Sequence, residues 1–282
     1  MRGSDTFRDM SRRPLAVCSW SMRPSDPTQL VERLRAAGMD RVQLALVPLL
    51  DAPEVWCDIG ERLRAAGIAI QSGMLAPRGE DYSSIPRIRE TGGLRPDATW
   101  PDNLKLSMGV ARAAGTLGIR LVTLHAGFIP HDRADPLWGR MIERLRTVID
   151  LFAEEGIEIA FETGQESAAC LIEALEALDR PRAGVNFDPA NMLLYGAGDP
   201  LEGFRLLKPW VRQLHAKDAT PSGQPDVWGR ETPVGAGAVT WKPLMAEVAT
   251  LPEHVAVVIE REGGERRVEE VASARAFLQP ML

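Results

Sequence analysis

Hydrophobic positions along this chain follow two periods that take turns, one helical and one strand-like. Glu32 to Gly38 reads ERLRAAG, and Glu61 to Gly67 repeats the string 29 residues later. Each copy closes a stretch of helical period at a glycine, the residue most often found just past a helix C-terminus. A short run of strand character follows each copy, over 41–46 and then 68–72. The same patterning predicts further strands over 15–20, 120–125, 157–162, 183–188, 211–215 and 255–260. Helices are predicted over 27–37, 53–66, 102–117, 136–155, 166–178, 201–206, 241–251 and 268–278. Pro27, Pro53 and Pro136 open helices at the position where a missing N–H costs nothing.

Eight strands alternating with eight helices over roughly 250 residues predict an α/β protein, a single-domain (β/α)₈ TIM barrel over 14–282 behind a loose leader over 1–13. A doubly wound open sheet is the competing topology. Two connections, 73–101 and 216–239, are too long to be simple turns. Both leave C-terminal strand ends, the rim at which such barrels carry their active sites.

Composition narrows the function classes. The 282 residues are 45% hydrophobic with a net charge of −6, a folded rather than a disordered chain. The longest apolar runs, such as 44–50, fall far short of the ~18 residues a membrane helix needs. The first fourteen residues hold four Arg and no apolar core, unlike a secretory signal, so a cytoplasmic location is expected. With 33 basic and 39 acidic residues and no basic cluster, no nucleic-acid partner is expected. Cys18, Cys57 and Cys170 form no CxxC pair and read as reduced thiols. With four histidines in the chain, a metal site would be built mostly from oxygen.

The later strands supply that oxygen. Strands four to eight end at His125, Glu162, Asp188, His215 and Glu260. Side chains alternate along a strand, so Ala160 and Val258 share a face with Glu162 and Glu260, while Ile159, Phe161, Val257 and Ile259 take the other. The bulky set suits the layer beneath the helices, which turns the carboxylates into the barrel. Taken singly, Asp188 before a proline reads equally as a helix cap, a strand-end Glu as an ion-pair partner and His215 as a packed core residue. Jointly, Glu162, Asp188, His215 and Glu260 form a set whose mutual repulsion one divalent ion relieves. Mn²⁺ is the expected ion, with Mg²⁺, Co²⁺ and Zn²⁺ as alternatives.

The motifs GVNFDPAN, LHAKDA, IERE and ETGQE resemble the sugar phosphate isomerase/epimerase group of the xylose isomerase-like TIM barrels over nearly the whole chain. The resemblance implies a metal at Glu162, Asp188, His215 and Glu260, with Glu162 and Glu260 as the catalytic acid/base pair. It implies a sugar or sugar derivative as substrate, isomerised or epimerised through an enediolate, with a dehydratase or lyase on a keto-sugar or inosose-like substrate as the alternative. Relatives commonly form dimers or tetramers, which makes a homo-oligomer compatible but not required. Asn191 stands where ketose 3-epimerases carry a substrate-contacting His. Their Arg shortly after the seventh-strand His has no counterpart here, and Lys217 or Arg230 is expected to supply that charge.

His125 reads either as a substrate contact or as a hydrogen-bonded rim residue. Glu166 reads as an orienter of a substrate hydroxyl or as a first-turn helix carboxylate. Trp20 and Trp100 are candidate pocket walls, and Gly235-Ala236-Gly237 reads as a phosphate loop or, more simply, a turn. The fold's nuclease branch, which gathers several His-ligated metals, fits poorly with four histidines. A barrel that binds sugars without turnover is a further alternative.

Overall fold

The computed structural model describes residues 13–282. Eight parallel strands close into a barrel: β1 (Leu15–Cys18), β2 (Arg41–Ala45), β3 (Ala69–Met74), β4 (Leu121–Leu124), β5 (Glu158–Glu162), β6 (Ala183–Phe187), β7 (Val211–Ala216) and β10 (Ala256–Ile259). A small antiparallel hairpin, β8 (Asp218–Thr220) with β9 (Arg230–Thr232), lies between the last two. Strand β1 pairs with both β2 and β10, which removes every sheet edge. The leader expected over 1–13 lies outside the described residues except for Arg13. That side chain is buried and donates to the carbonyls of Leu251, Pro252 and Val255 at 2.9, 2.8 and 2.7 Å.

The strand parity read from the sequence holds. Ile159, Phe161, Val257 and Ile259 belong to the main core between strands and helices, where each fully buried large side chain contributes about 2 kcal/mol. The barrel interior holds a second, small apolar cluster of Ala16, Cys18, Ala256 and Val258. Beside it Gln43, Ser72, Thr123, Asn186 and Gln213 are all fully buried. Their amides and hydroxyls pair across the barrel: Ser72 Oγ donates to Gln213 Oε1 at 2.6 Å, and Gln213 Nε2 to Asn186 Oδ1 at 3.2 Å. A polar interior of this kind is stable only when paired, and it forms the floor under the rim residues.

Element boundaries depart from the sequence reading where prolines and caps intervene. The helix predicted over 53–66 is two pieces, Pro53–Trp56 and Ile59–Ala65, preceded by Val47–Asp51. Pro48 and Pro53 each restart a helix, and the residue before a proline disfavours helical torsions, as Ala52 shows at φ −138°, ψ 61°. The helix expected from residue 166 begins at Ala168, because Ser167 is its N-cap and accepts from Cys170 N at 3.3 Å. A short helix not expected from the sequence, Pro189–Tyr195, follows β6.

Of the two long connections, the first carries a helix over Ile85–Thr91 and the second carries the β8/β9 hairpin. The first docks onto the loop after β4 by backbone contact. A Cβ on Gly93 (φ +63°) would stand 2.2 Å from Gly127 N, and Leu94 N donates to Ala126 O at 3.0 Å. Only glycine permits that approach. It carries Tyr82 over the rim, 6.5 Å from the His125 ring. Among the described residues no helix is long and apolar enough to cross a membrane.

Candidate metal centre and active-site cavity

Strand ends β5, β6, β7 and β10 bring Glu162, Asp188, His215 and Glu260 together at the barrel mouth. One ligand atom from each lies within 4.8 Å of all the others, and all four side chains are buried. His215 Nδ1 is 3.4 Å from Glu162 Oε1, 3.4 Å from Glu260 Oε2 and 3.9 Å from Asp188 Oδ2. His215 Nδ1 and Asp188 Oδ2 are buried without any hydrogen-bond partner, and Glu260 Oε2 beside them is met by the Lys217 ammonium at 3.1 Å. Burying polar atoms unpaired costs on the order of 1–3 kcal/mol each, so bare atoms converging on one point require something to satisfy them. Ligand atoms around an ion at about 2.1 Å stand roughly 3–4 Å apart, which these separations match. The donor set fits a hard divalent cation.

Asp188 faces two ways at once, which makes its two sequence readings compatible. Its Oδ1 caps the Pro189–Tyr195 helix, accepting from Ala190 N at 2.8 Å and Asn191 N at 3.0 Å. Its Oδ2 is left facing the cluster. His215 is oriented from behind: Nε2–H donates to Gln43 Oε1 at 2.7 Å. The Gln43 amide is itself fixed, because its Nε2 donates to Thr123 Oγ1 at 2.8 Å and Gly73 O at 3.3 Å. Gln43 therefore presents oxygen to the ring, keeps a proton on Nε2 and turns Nδ1 toward the carboxylates, where a cation could take the place of its proton.

The field of the cluster is strongly negative. Burial pushes the Asp188 carboxyl well above the usual range, with Glu260 and Glu162 adding to it. Burial alone would lower His215, yet Cys18 and the carboxylates of Glu162 and Glu260 carry it well above its ordinary value. Burial would raise Glu260 as well, but Lys217 and His215 hold it well below the carboxylate range. Lys217 Nζ sits 3.1 Å from Glu260 Oε2 and also contacts Glu262. Trp20 Nε1 donates to Glu260 Oε1 at 2.7 Å. On the opposite side, Glu162 accepts from Asn191 Nδ2 at 2.8 Å and from Asn186 Nδ2 at 3.3 Å. Asn186 is placed to do this by its register partnership with Glu162 across β5 and β6.

A cavity of about 760 Å³ opens above the cluster. Glu162, Glu260, His125, Asn191 and Lys217 line it, whereas Asp188 and His215 lie behind its wall. His125 Nε2 is 3.8 Å from Glu162 Oε1, so it is a rim residue facing the cavity. Four of the candidate positions stand outside the cavity wall. Glu166 does not line the cavity: its Oε1 accepts from Ile129 N at 2.9 Å and braces the loop after β4, and burial raises its carboxyl to about 7. Arg230 is exposed on β9, outside the cavity wall. Trp100 packs under Arg144, 5.1 Å from its guanidinium, leaving Trp20 as the cavity wall. The Gly235–Gly237 turn already holds an anion of the protein itself. Gly235 N and Gly237 N donate to Asp218 Oδ2 at 2.9 and 3.2 Å, and a Cβ on Gly237 would stand 2.1 Å from Asp218 Oδ1. The sequence reading missed Tyr82, Tyr195 and Trp228 in the wall and Gln43 beneath it. A glutamine on the inward face of a strand was the available signal for Gln43.

Fold and rim together define a barrel with an oxygen-rich cluster, of a kind that could hold a metal ion, at its C-terminal mouth. The chain belongs to the xylose isomerase-like TIM barrel family, whose model matches residues 31–281. A xylose isomerase domain protein from Planctomyces limnophilus is 27% identical, with a TM-score of 0.84 over 96% of this chain and 97% of that one. D-psicose 3-epimerase from Clostridium cellulolyticum H10, solved with D-tagatose, has a TM-score of 0.72 over 95% of this chain and 99% of that one. At 14% identity that likeness is one of fold. A 3-dehydroshikimate dehydratase from Bacillus anthracis is 28% identical over 81 residues, a stretch covering 27% of this chain and 29% of that protein.

Proposed function

We propose that this protein is a divalent-metal-dependent sugar isomerase or epimerase, which abstracts a proton next to a carbonyl and passes through an enediolate. The observation that carries the reading is the split of the four ligands. Glu162 and Glu260 reach the cavity from strands separated by β6 and β7, while Asp188 and His215 stay behind the wall. Glu162, Asp188, His215 and Glu260 would hold the ion, with Mn²⁺ expected and Mg²⁺, Co²⁺ or Zn²⁺ as alternatives. When bound, the ion polarises the substrate carbonyl and stabilises the negative charge of the enediolate.

The side chains divide the remaining work. Lys217 and Trp20 hold Glu260 ionised, the state a proton acceptor needs. Asn191 and Asn186 fix the orientation of Glu162, which would return to the carbon from the other side a proton that it first takes up from solvent or a substrate hydroxyl, while Glu260 releases the abstracted one to solvent. His125 and Asn191 face the cavity, where they can bind substrate hydroxyls. The test is isotopic. Protein loaded with Mn²⁺ should exchange substrate C–H for deuterium in D₂O for some member of a panel of ketoses and keto-sugars, and Glu260→Gln should abolish it. No exchange across the panel contradicts the reading.

A dehydratase is the second reading, favoured by the matched stretch of the 3-dehydroshikimate dehydratase. The first proton transfer is the same, and the Lys217 ammonium at the cavity wall is a proton source for a departing hydroxyl. Loss of water from the product, detected by mass, separates this reading from epimerisation.

A further inference from the structure

The cavity is larger and more apolar than a free monosaccharide requires. A hexose has about twelve non-hydrogen atoms, and even at the ~30 Å³ each liquid water occupies it would fill roughly 360 Å³. That is under half of the 760 Å³ available. Most of its polar groups stand at the ends of β4, β5, β7 and β10 and on the helix after β6, with Asp51 after β2 and Tyr82 after β3 beyond them. The rest of the wall is apolar or aromatic: Val47 and Pro48 after β2 and Met74 at the end of β3, and, across the mouth beside Asn191, Leu194, Tyr195 and Trp228. Tyr195 and Trp228 meet edge to face at 4.7 Å, a packed aromatic corner facing the same space. A free sugar has hydroxyls around its whole perimeter, and those facing this wall would lose water without gaining partners.

We infer that the substrate is amphipathic: a sugar-type head held at the four-residue rim, joined to an apolar substituent of aromatic size that fills the cavity beside Val47 and Met74. This deepens the metal-dependent sugar reading and rests on it for the head group. A substituent of that size buries about 100 Å² of apolar surface, which corresponds to an affinity gain on the order of 50-fold.

Two probes that share one sugar isolate the effect: methyl β-D-glucopyranoside and 4-nitrophenyl β-D-glucopyranoside, titrated calorimetrically into Mn²⁺-loaded protein of measured metal content. The aryl glycoside should bind at least tenfold more tightly. Val47→Asp places a charge on the apolar wall at a first helical position that tolerates aspartate, and it should cut that ratio to below about threefold. Equal affinities in the unsubstituted protein, or no measurable binding of either probe, overturn the inference. If the protein holds metal and the ratio is near one, the metal-dependent reading survives and the amphipathic substrate does not. If it holds no divalent ion yet keeps the aryl preference, the apolar subsite stands and the metal reading falls.

Discussion

Gln43 touches no substrate in this account, yet its removal should be felt at the metal. Gln43→Leu keeps the volume but deletes the oxygen that accepts His215 Nε2–H at 2.7 Å and the amide that donates to Thr123 Oγ1 at 2.8 Å. His215 then loses the bond that fixes its tautomer, and Nδ1 is no longer turned toward the three carboxylates in every molecule. Loss of such an outer partner typically costs 10- to 100-fold in metal affinity, about 1.4–2.7 kcal/mol. Thr123 and His215 Nε2 are left buried with one partner fewer, so a stability loss of about 1–3 kcal/mol should accompany it. Competition against a calibrated chelator gives the Mn²⁺ affinity, and urea unfolding gives the stability. An affinity within twofold of the unsubstituted protein refutes the orienting role, whatever happens to stability.

Three further outcomes follow from particular contacts. Glu166 is buried with its carboxyl raised to about 7 against an ordinary 4.5, so the folded state holds its proton more tightly than the unfolded chain. That contribution is complete below about pH 4.5 and fades as pH rises through 7, an order of 3 kcal/mol across the window. Glu166→Gln should therefore gain stability relative to the unsubstituted protein between pH 5 and 8 in urea unfolding, and a pH-independent difference contradicts the assignment. Asp218→Asn should destabilise by about 2–4 kcal/mol, because the donors Gly235 N, Gly237 N and Trp241 Nε1 would meet an amide instead of a carboxylate; a loss under 1 kcal/mol speaks against it. Metal removal by a chelator should lower the melting temperature, and Mn²⁺ affinity should fall with acidity, since burial favours a proton on Asp188 and the neighbouring carboxylates favour one on His215. A melting temperature indifferent to chelator and Mn²⁺ would contradict this.

The barrel was legible in the sequence because each element carries its own period and stop signal, and the ERLRAAG repeat displays the unit twice. The rim cluster was legible because strand parity is a local property: once Ala160 and Val258 face inward, Glu162 and Glu260 must as well. What the sequence hid depends on geometry between distant segments. Gln43 reaches His215 across 172 positions of chain, and Tyr82 reaches the His125 ring only because Gly93 and Gly127 let two loops meet. Glu166 and Arg230 stood near the rim in sequence, but a cap at Ser167 and the strand pairing of the hairpin placed them elsewhere. The two readings of Asp188 looked exclusive because a sequence does not show that one carboxylate has an oxygen for each.

The central claim is that Glu162, Asp188, His215 and Glu260 hold a single divalent ion. Anomalous diffraction from crystals grown with Mn²⁺ tests it most directly. The account predicts one strong peak per chain among Glu162, Asp188 Oδ2, His215 Nδ1 and Glu260 Oε2, each ligand within about 2.3 Å of it. No peak there, or an ion bound through other side chains, would contradict it.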